Sequence, residues 1–522
     1  MNKLFIIFII NFLVFSQVLS EELTLTAGPV TCEYKNKDKI EDYDESSDVN
    51  IKCNTSTCTI NGSGATFSNN IVSITAAGTY IIQGTLNGQV RIEVTKDDFV
   101  HLVLNGVTIA SSSGPAIYGV EADKITITLI GENSLSDSDN YTVVDEEPDA
   151  CLFIDSDLSI NGSGSLTVTG NYSDAIRCKK DLKIISGNIT IPNAVERGIK
   201  AKNSVCIKDG TIDVNSSNTA IKATKDTDPL KGYVVIDGGS ITVSTGKDGI
   251  HAETHLTIRG GYVNVLKCQE GLEGQMIDIL GGEVHVKSSD DGINASKISD
   301  TTSTKKRGFS GGSSFGGSTQ STGTDGSVYI NIVGGKTYVV VEGSDVDGID
   351  SNGVLYIGGE AEVYVSISGG DIYGNMAALD SEGTNAIVSG PTVFVTASSQ
   401  SSSRNHKRQG PSFGGSSGMG GSMDETGTVH QPYIKTTITS QNANTSITVK
   451  DSNSNIIGSY TPDVTYSTIL FTSPKMTAGE TYTIITGSKT TTVTVSQPST
   501  EEVKAPSITS PDEDSQSKIS FD

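Results

Sequence analysis

Carboxylates recur in one register through the middle of this chain. Asp248, Glu270, Asp291 and Asp347 each open a short phrase of an acidic residue, Gly, and then Ile or Leu. Three residues after each of them stand His251, Glu273, Asn294 and Asp350, while Asp290 and Asp345 lie just ahead of two of them. Carboxylates stacked at strand spacing repel one another unless a cation sits between them. Hard oxygen donors of this kind suit Ca²⁺, which takes about six to eight oxygens in flexible geometry. The candidate ligands are therefore Asp248, Glu270, Glu273, Asp290, Asp291, Asp345, Asp347 and Asp350. No EF-hand loop, nucleophile elbow, phosphate-binding loop or His/Cys metal motif accompanies them.

The same phrase changes sign upstream. It reads Asp174-Ala-Ile-Arg177, then Arg197-Gly-Ile-Lys200, then Thr219-Ala-Ile-Lys222. A row of Arg177, Arg197, Lys200 and Lys222 fits a linear polyanion with regularly spaced carboxylates. The alternative is that these cations only offset the acidic neighbours. Lys200 and Lys222 are also the placed candidates for a base, should Ca²⁺ acidify the proton beside a uronate carboxylate for β-elimination. The balance of signs moves along the chain. Residues 174–231 hold 11 Lys/Arg and 7 Asp/Glu (+4), residues 248–294 hold 3 and 8 (−5), and residues 345–382 hold none and 8 (−8).

The elements that must position these residues follow from the spacing. The aliphatic residues of the phrase (Ile176, Ile199, Ile221, Ile250, Leu272, Ile293 and Ile349) are separated by 23, 22, 29, 22, 21 and 56 residues. Repetition near 22 residues is one coil of a β-solenoid, in which equivalent residues on neighbouring coils lie about 4.8 Å apart. Most coils share a grammar: the phrase, a strand such as Leu256-Thr257-Ile258, a Gly-Gly corner, and a second strand such as Val263-Asn264-Val265. Alternation sends Leu256 and Ile258 inward and Thr257 outward. The two long steps hold insertions. One is an extra loop near 226–231. The other is a Ser/Gly-rich segment at 297–326, with a similar one at 398–427.

The organisation expected is a signal peptide at 1–20, a lead-in at 21–58, and an all-β parallel solenoid at 59–430. A small C-terminal β module at 431–497 caps its end, and an acidic tail occupies 498–522. Residues 1–20 carry Lys3, an apolar run from Leu4 to Val14, and small residues Val18 and Ser20 at the cleavage site, so secretion is expected. With 522 residues and a net charge of −24, nucleic acid and anionic membrane are poor partners, and membrane insertion is not expected. Of seven cysteines, Cys53 and Cys58 close a tight loop and are expected to pair, and the odd total leaves at least one thiol unmatched within the chain. In a eukaryotic secretory pathway, nine N-x-S/T sequons would mark surface positions of a glycoprotein, and Asn294, inside the repeat, is expected to stay unmodified.

Longer phrases carry a resemblance. GTYIIQGTLNGQ (78–89), VHLVLNGVTI (100–109), GPAIYGVEADKITITLIGENSLSD (114–137), DLSINGSGSLTV (157–168), DGIHAETHLTIRGG, EGLEG and SSDDGINAS are similar to the carbohydrate-binding domain-containing family of secreted pectate-lyase-like proteins. The resemblance covers about residues 55–495. It implies a right-handed parallel β-helix that binds acidic polysaccharide such as polygalacturonate, with cellulose as an alternative, and carries several Ca²⁺ ions. Asp248, Glu270, Glu273, Asp290, Asp291 and Asp347 match its acidic motif positions. Arg197 and Thr219 replace the usual Asp, so contacts needing those carboxylates are in doubt. The expected function is calcium-dependent binding of an anionic polysaccharide without turnover. A polysaccharide lyase and a structural wall protein are the alternatives.

Overall fold

The computed structural model describes residues 23–143, 146–298, 325–344, 346–369, 376–398, 427–503 and 505–506. The signal peptide, the acidic tail beyond 506 and most of both Ser/Gly-rich segments lie outside them, as does Asp345.

Each coil of the chain makes three short strands. Asp174–Cys178, Asp181–Ile184 and Asn188–Ala194 form one coil, and each pairs in parallel with its counterpart in Ile199–Ala201, Ser204–Ile207 and Thr211–Ser216. Stacking these coils gives a parallel β-helix with three faces. The first face is a 13-stranded sheet bearing the repeated phrase. The second and third faces belong to one 27-stranded sheet, because the long strand Phe99–Ala110 turns the corner between them and pairs with both Lys124–Ile130 and Glu132–Ser136.

The phrase positions register as their spacing predicts. Ile176, Ile199, Ile221, Ile250, Leu272, Ile293 and Ile349 form one inward column, all buried, and Leu379 extends it by a further coil. No single coil could bury such a column alone. The corners need glycine. Gly261 has φ of +82°, and a Cβ there would lie 2.6 Å from the Gly239 carbonyl oxygen of the previous coil. The phrase glycine is also forced where coils approach closely, since a Cβ on Gly271 would lie 2.2 Å from Gly292 O.

The solenoid starts earlier than residue 59. Val49–Thr55 pairs in parallel with Gly78–Leu86 and forms a hairpin with Thr57–Asn61, linked by the expected Cys53–Cys58 disulfide. Residues 23–40 are more than a lead-in. They lie as a strap along the outside of the second face. Leu25 packs with Met276, Tyr329 and Val354, and Val30 N–H donates to Thr257 Oγ1 at 3.1 Å. Farther along, Thr126 Oγ1 donates to Lys37 O, and the Asn161 amide donates to the Asp38 and Ile40 carbonyls. Thr257 does point outward, but the strap buries it. A second disulfide, Cys32–Cys206, fastens the strap and was not legible from spacing. Cys151, Cys178 and Cys268 are free and buried, Cys178 in the column of Ala201 and Ala223.

At the far end the chain reverses. Tyr466–Thr472 lies antiparallel to Thr392–Ala397, the last third-face strand, and to Tyr433–Gln441. A separate four-stranded antiparallel sheet, which includes Ile456–Tyr460, completes the module. Phe394, Phe471 and Tyr466 are fully buried where module and solenoid meet. The edge of the third face is thus covered rather than left open to pairing.

Candidate functional site

The outward column beside the phrase runs down the whole first face. In order it is Arg91, Tyr118, Phe153, Arg177, Lys200, Lys222, His251, Glu273, Asn294, Asp350 and Asp380. It passes from cations and rings, through a histidine, to carboxylates. The three stretches differ in how their charge is matched.

The basic stretch is matched internally. Arg177 pairs with Glu147 at 2.6 Å and also with Asp149, and its guanidinium lies 5.4 Å above the Phe153 ring. Lys200 lies 3.1 Å from Asp174, a fully buried carboxylate, and 3.6 Å from Asp149. Arg197 lies 3.6 Å from the same Asp174, and Lys222 lies 3.2 Å from Glu253. The structure therefore brings Arg177, Arg197, Lys200 and Lys222 together, but each already has a carboxylate. The partners Glu147 and Asp149 come from the connection before Ala150–Ile154, where no repeated phrase marks them.

The middle stretch is a buried ion cluster. His251 Nδ1 contacts Glu273 and lies 3.6 Å from Asp248, while Nε2 lies 3.5 Å from Glu253. Asp248 also accepts from Thr219 Oγ1 at 2.9 Å and pairs with Lys247 at 3.0 Å. Burial works against the His251 cation, but Glu273, Asp248 and Glu253 override it and hold the imidazole protonated. Burial likewise opposes ionisation of Glu273 and Glu253, and His251 wins in both, so both stay ionised. Burial and the adjacent Glu273 push the Glu270 carboxyl up to about 10, so it keeps its proton. Protein cations or a proton thus serve these carboxylates, but ligand atoms of Asp248, His251 and Glu273 also lie within 4.8 Å of one another, and Asp248 Oδ1 is buried without a hydrogen-bond partner.

The acidic end differs. Carboxylate oxygens of Asp347, Asp350 and Asp380 lie within 4.8 Å of one another, and Asp291 adjoins them by accepting the Asp347 N–H at 2.8 Å. Among the described residues no Lys or Arg pairs with any of these four. Burial first, and then the other carboxylates, push Asp291 to about 6, Asp347 to about 7 and Asp350 well above the usual carboxylate range. Burial also raises Asp290. On the coil before Asp350, the Asn294 amide oxygen is buried without a hydrogen-bond partner. A convergence of unmatched carboxylates beside an unused amide oxygen is the donor set a hard divalent cation takes. These residues fit Ca²⁺. Asp380 was missed because its coil reads Ala377-Ala378-Leu379-Asp380, which lacks both the leading carboxylate and the glycine. Its only sequence signal is an Asp placed one residue after a buried Leu.

The described residues thus form a three-faced parallel β-helix with a charged ladder along one face. Residues 68–308 match the model of a family described as carbohydrate-binding domain-containing protein. A carbohydrate-binding domain-containing protein of Acetivibrio thermocellus is 35% identical over 211 residues, covering 39% of this chain and 73% of that protein. A solved gadolinium derivative of the polysaccharide lyase-like protein from C. thermocellum shows 31% identity with a TM-score of 0.40, covering 45% of this chain and 93% of that one. The chain belongs to the carbohydrate-binding domain-containing family. Among the described residues no helix is long and apolar enough to cross a membrane.

Proposed function

We propose that this protein is secreted and binds an acidic polysaccharide of the polygalacturonate type through Ca²⁺, without cleaving it. The cation would be held by Asp347, Asp350 and Asp380, with Asp291 and the Asn294 amide oxygen adjoining. The observation that carries this reading is the convergence of those carboxylates, with no Lys or Arg paired to them among the described residues. Bound Ca²⁺ supplies positive charge that a uronate carboxylate can share. Asp248 and Glu273 belong instead to a second convergence with His251, which protein charges already fill, and Glu270 and Asp290 are part of neither group. The basic stretch supports the ladder rather than gripping the glycan, because its charges are spent on Glu147, Asp149, Asp174 and Glu253.

A lyase would need a neutral amine as base. Lys200 and Lys222 each lie against a carboxylate, Asp174 and Glu253, instead of facing an open substrate position, so the binding reading is preferred. The test is retention of the protein on polygalacturonate. It is expected in Ca²⁺, and is expected to disappear with chelator and in Asp347→Asn and Asp350→Asn. Retention that survives chelator would overturn the bridging role of the cation. Ultraviolet absorbance from unsaturated uronate would overturn the non-catalytic reading.

A further inference from the structure

The third face carries a second ladder that the acidic site does not use. His285, Tyr338, Tyr364 and Phe394 occupy one outward column on successive coils. Their rings stack along the solenoid axis. Centroids lie 4.5 Å apart for His285 and Tyr338, 4.6 Å for Tyr338 and Tyr364, and 5.8 Å for Tyr364 and Phe394, with planes within about 12°. The C-terminal module covers one end of the stack. There Tyr460 leans across Tyr364 at 40°, and Phe394 is fully buried. The stack then emerges toward Tyr338 and His285, which are half-buried.

Where it emerges, a cleft of about 390 Å³ opens between solenoid and module. Its walls include His285, Tyr338, Tyr364, Tyr460, Thr461 and Asp463. Its size falls in the lower part of the range of ligand pockets, about 300–1,000 Å³. The aromatic bodies supply apolar surface, and because the rings stack on one another they present edges and hydroxyls. Some polar atoms are committed: Tyr364 OH donates to Glu362 at 2.9 Å, Tyr460 OH bonds Ser366 at 2.6 Å, and His285 Nε2 lies 2.7 Å from Glu283. Others are free. The Tyr338 hydroxyl and the exposed Asp463 carboxylate have no hydrogen-bond partner among the described residues, and Thr461 is exposed beside them.

The charge of the cleft selects its ligand. No Lys or Arg lines it, and the nearby Lys336 is paired with Glu362 at 3.5 Å. Asp463 lines the cleft and Glu283 and Glu362 back it, so an anion entering would meet carboxylates without a counter-cation. A ligand with many hydroxyls, small apolar faces and no charge meets the opposite conditions. We propose that this cleft, built by His285, Tyr338, Tyr364 and Tyr460 against Thr461 and Asp463, binds a neutral saccharide unit independently of any metal. The ligand class rests on the carbohydrate-binding reading, but the site shares no residue with the aspartate cluster.

The test uses the full secreted chain in chelator, with neutral gluco-, manno- and xylo-oligosaccharides followed by calorimetry. At least one series is expected to bind. Loss of one or two hydrogen bonds to the sugar predicts roughly fivefold to tenfold weaker binding in Asp463→Ala and in Tyr338→Phe, which keeps the ring and removes the hydroxyl. Tyr338→Ala is expected to abolish binding, and unchanged thermal unfolding of the two milder variants separates a lost contact from a lost fold. Asp350→Asn is expected to bind the neutral sugar normally. Failure of all three series to bind, or binding unaltered in both Asp463→Ala and Tyr338→Phe, would overturn the proposal. Absence of polygalacturonate retention in Ca²⁺ with neutral binding intact would count against the acidic site alone.

Discussion

Replacing Asp350 with Asn tests the acidic site most directly. Among the described residues nothing hydrogen-bonds the Asp350 carboxyl, and burial and its carboxylate neighbours oppose its ionisation, so the substitution removes the cost of charging that position and little else. Two estimates set the scale. Two full charges 4.8 Å apart repel by about 3.5 kcal/mol at an effective dielectric of about 20. For comparison, Asp347 is held at about 7 instead of 3.8, by its own burial first and then by Asp291, Asp380 and Asp290, a shift of about 4 kcal/mol near neutral pH at about 1.4 kcal/mol per pH unit. Only the pair repulsion bears on Asp350, so Asp350→Asn should stabilise the cation-free protein by at most about 3.5 kcal/mol. The sign follows from linkage. A raised carboxylate pKa means the folded state binds more protons than the unfolded chain above about pH 4, so the parent loses stability as pH rises from there toward 7. The variant should lose less. Calcium should narrow the gap: a hundredfold excess over Kd adds about 2.7 kcal/mol to the parent, and little to Asp350→Asn. The assay is thermal or denaturant unfolding of both proteins in chelator and in Ca²⁺. If Asp350→Asn is less stable than the parent in chelator, or gains as much from Ca²⁺, the carboxylates do not form an unmet cation site.

Asp38 is the hub of the strap, paired with Lys124 and with Lys183 at 3.1 Å and accepting from Ser159. Asp38→Ala should cost about 3–5 kcal/mol by leaving buried ammonium groups unmatched, read as a fall in unfolding midpoint. Cys32→Ser removes the covalent fastening of the strap across 174 residues, and should cost about 2–5 kcal/mol in the same assay. His101 is buried against Thr128 Oγ1, and burial depresses its pKa. Below its unfolded value of about 6.5 the unfolded chain takes the proton first, so stability should fall with falling pH by at most about 1.4 kcal/mol per unit from this group. His101→Gln should flatten that slope, and an unchanged slope would count against it. Arg177→Met should alter polygalacturonate retention less than about twofold, whereas a cation that touched glycan would be worth roughly tenfold or more.

The repeat made the fold legible. One aliphatic residue per coil, followed by paired glycines, is enough to fix the inward column, the corners and the register of the outward ladder. Less visible were contacts made between segments distant in sequence. Cys32 finds Cys206, and Asp38 finds Lys124 and Lys183, only because the strap crosses many coils, and no local pattern encodes that path. The acidic register was read correctly as a column, but not which carboxylates lacked partners. His251 was visible in the column, yet its role as the counter-ion of Asp248, Glu253 and Glu273 depends on side-chain reach. Asp380 escaped because its coil keeps the shape of the phrase and loses its letters.

Solenoids can fail from their ends, since each coil touches only its neighbours and can peel away in turn. The strap changes that failure mode. Its contacts run from Leu25 against Tyr329 and Val354 to Lys37 and Ile40 against Thr126 and Thr128, so it bridges coils more than two hundred residues apart in sequence. Peeling one coil then requires freeing a splint that also holds many others. A pull on a glycan seated at the acidic coils would be shared along the shaft instead of unravelling it locally. Hydrogen exchange should show this as protection lost in one step across the strapped coils, and in Cys32→Ser as protection lost progressively from one end.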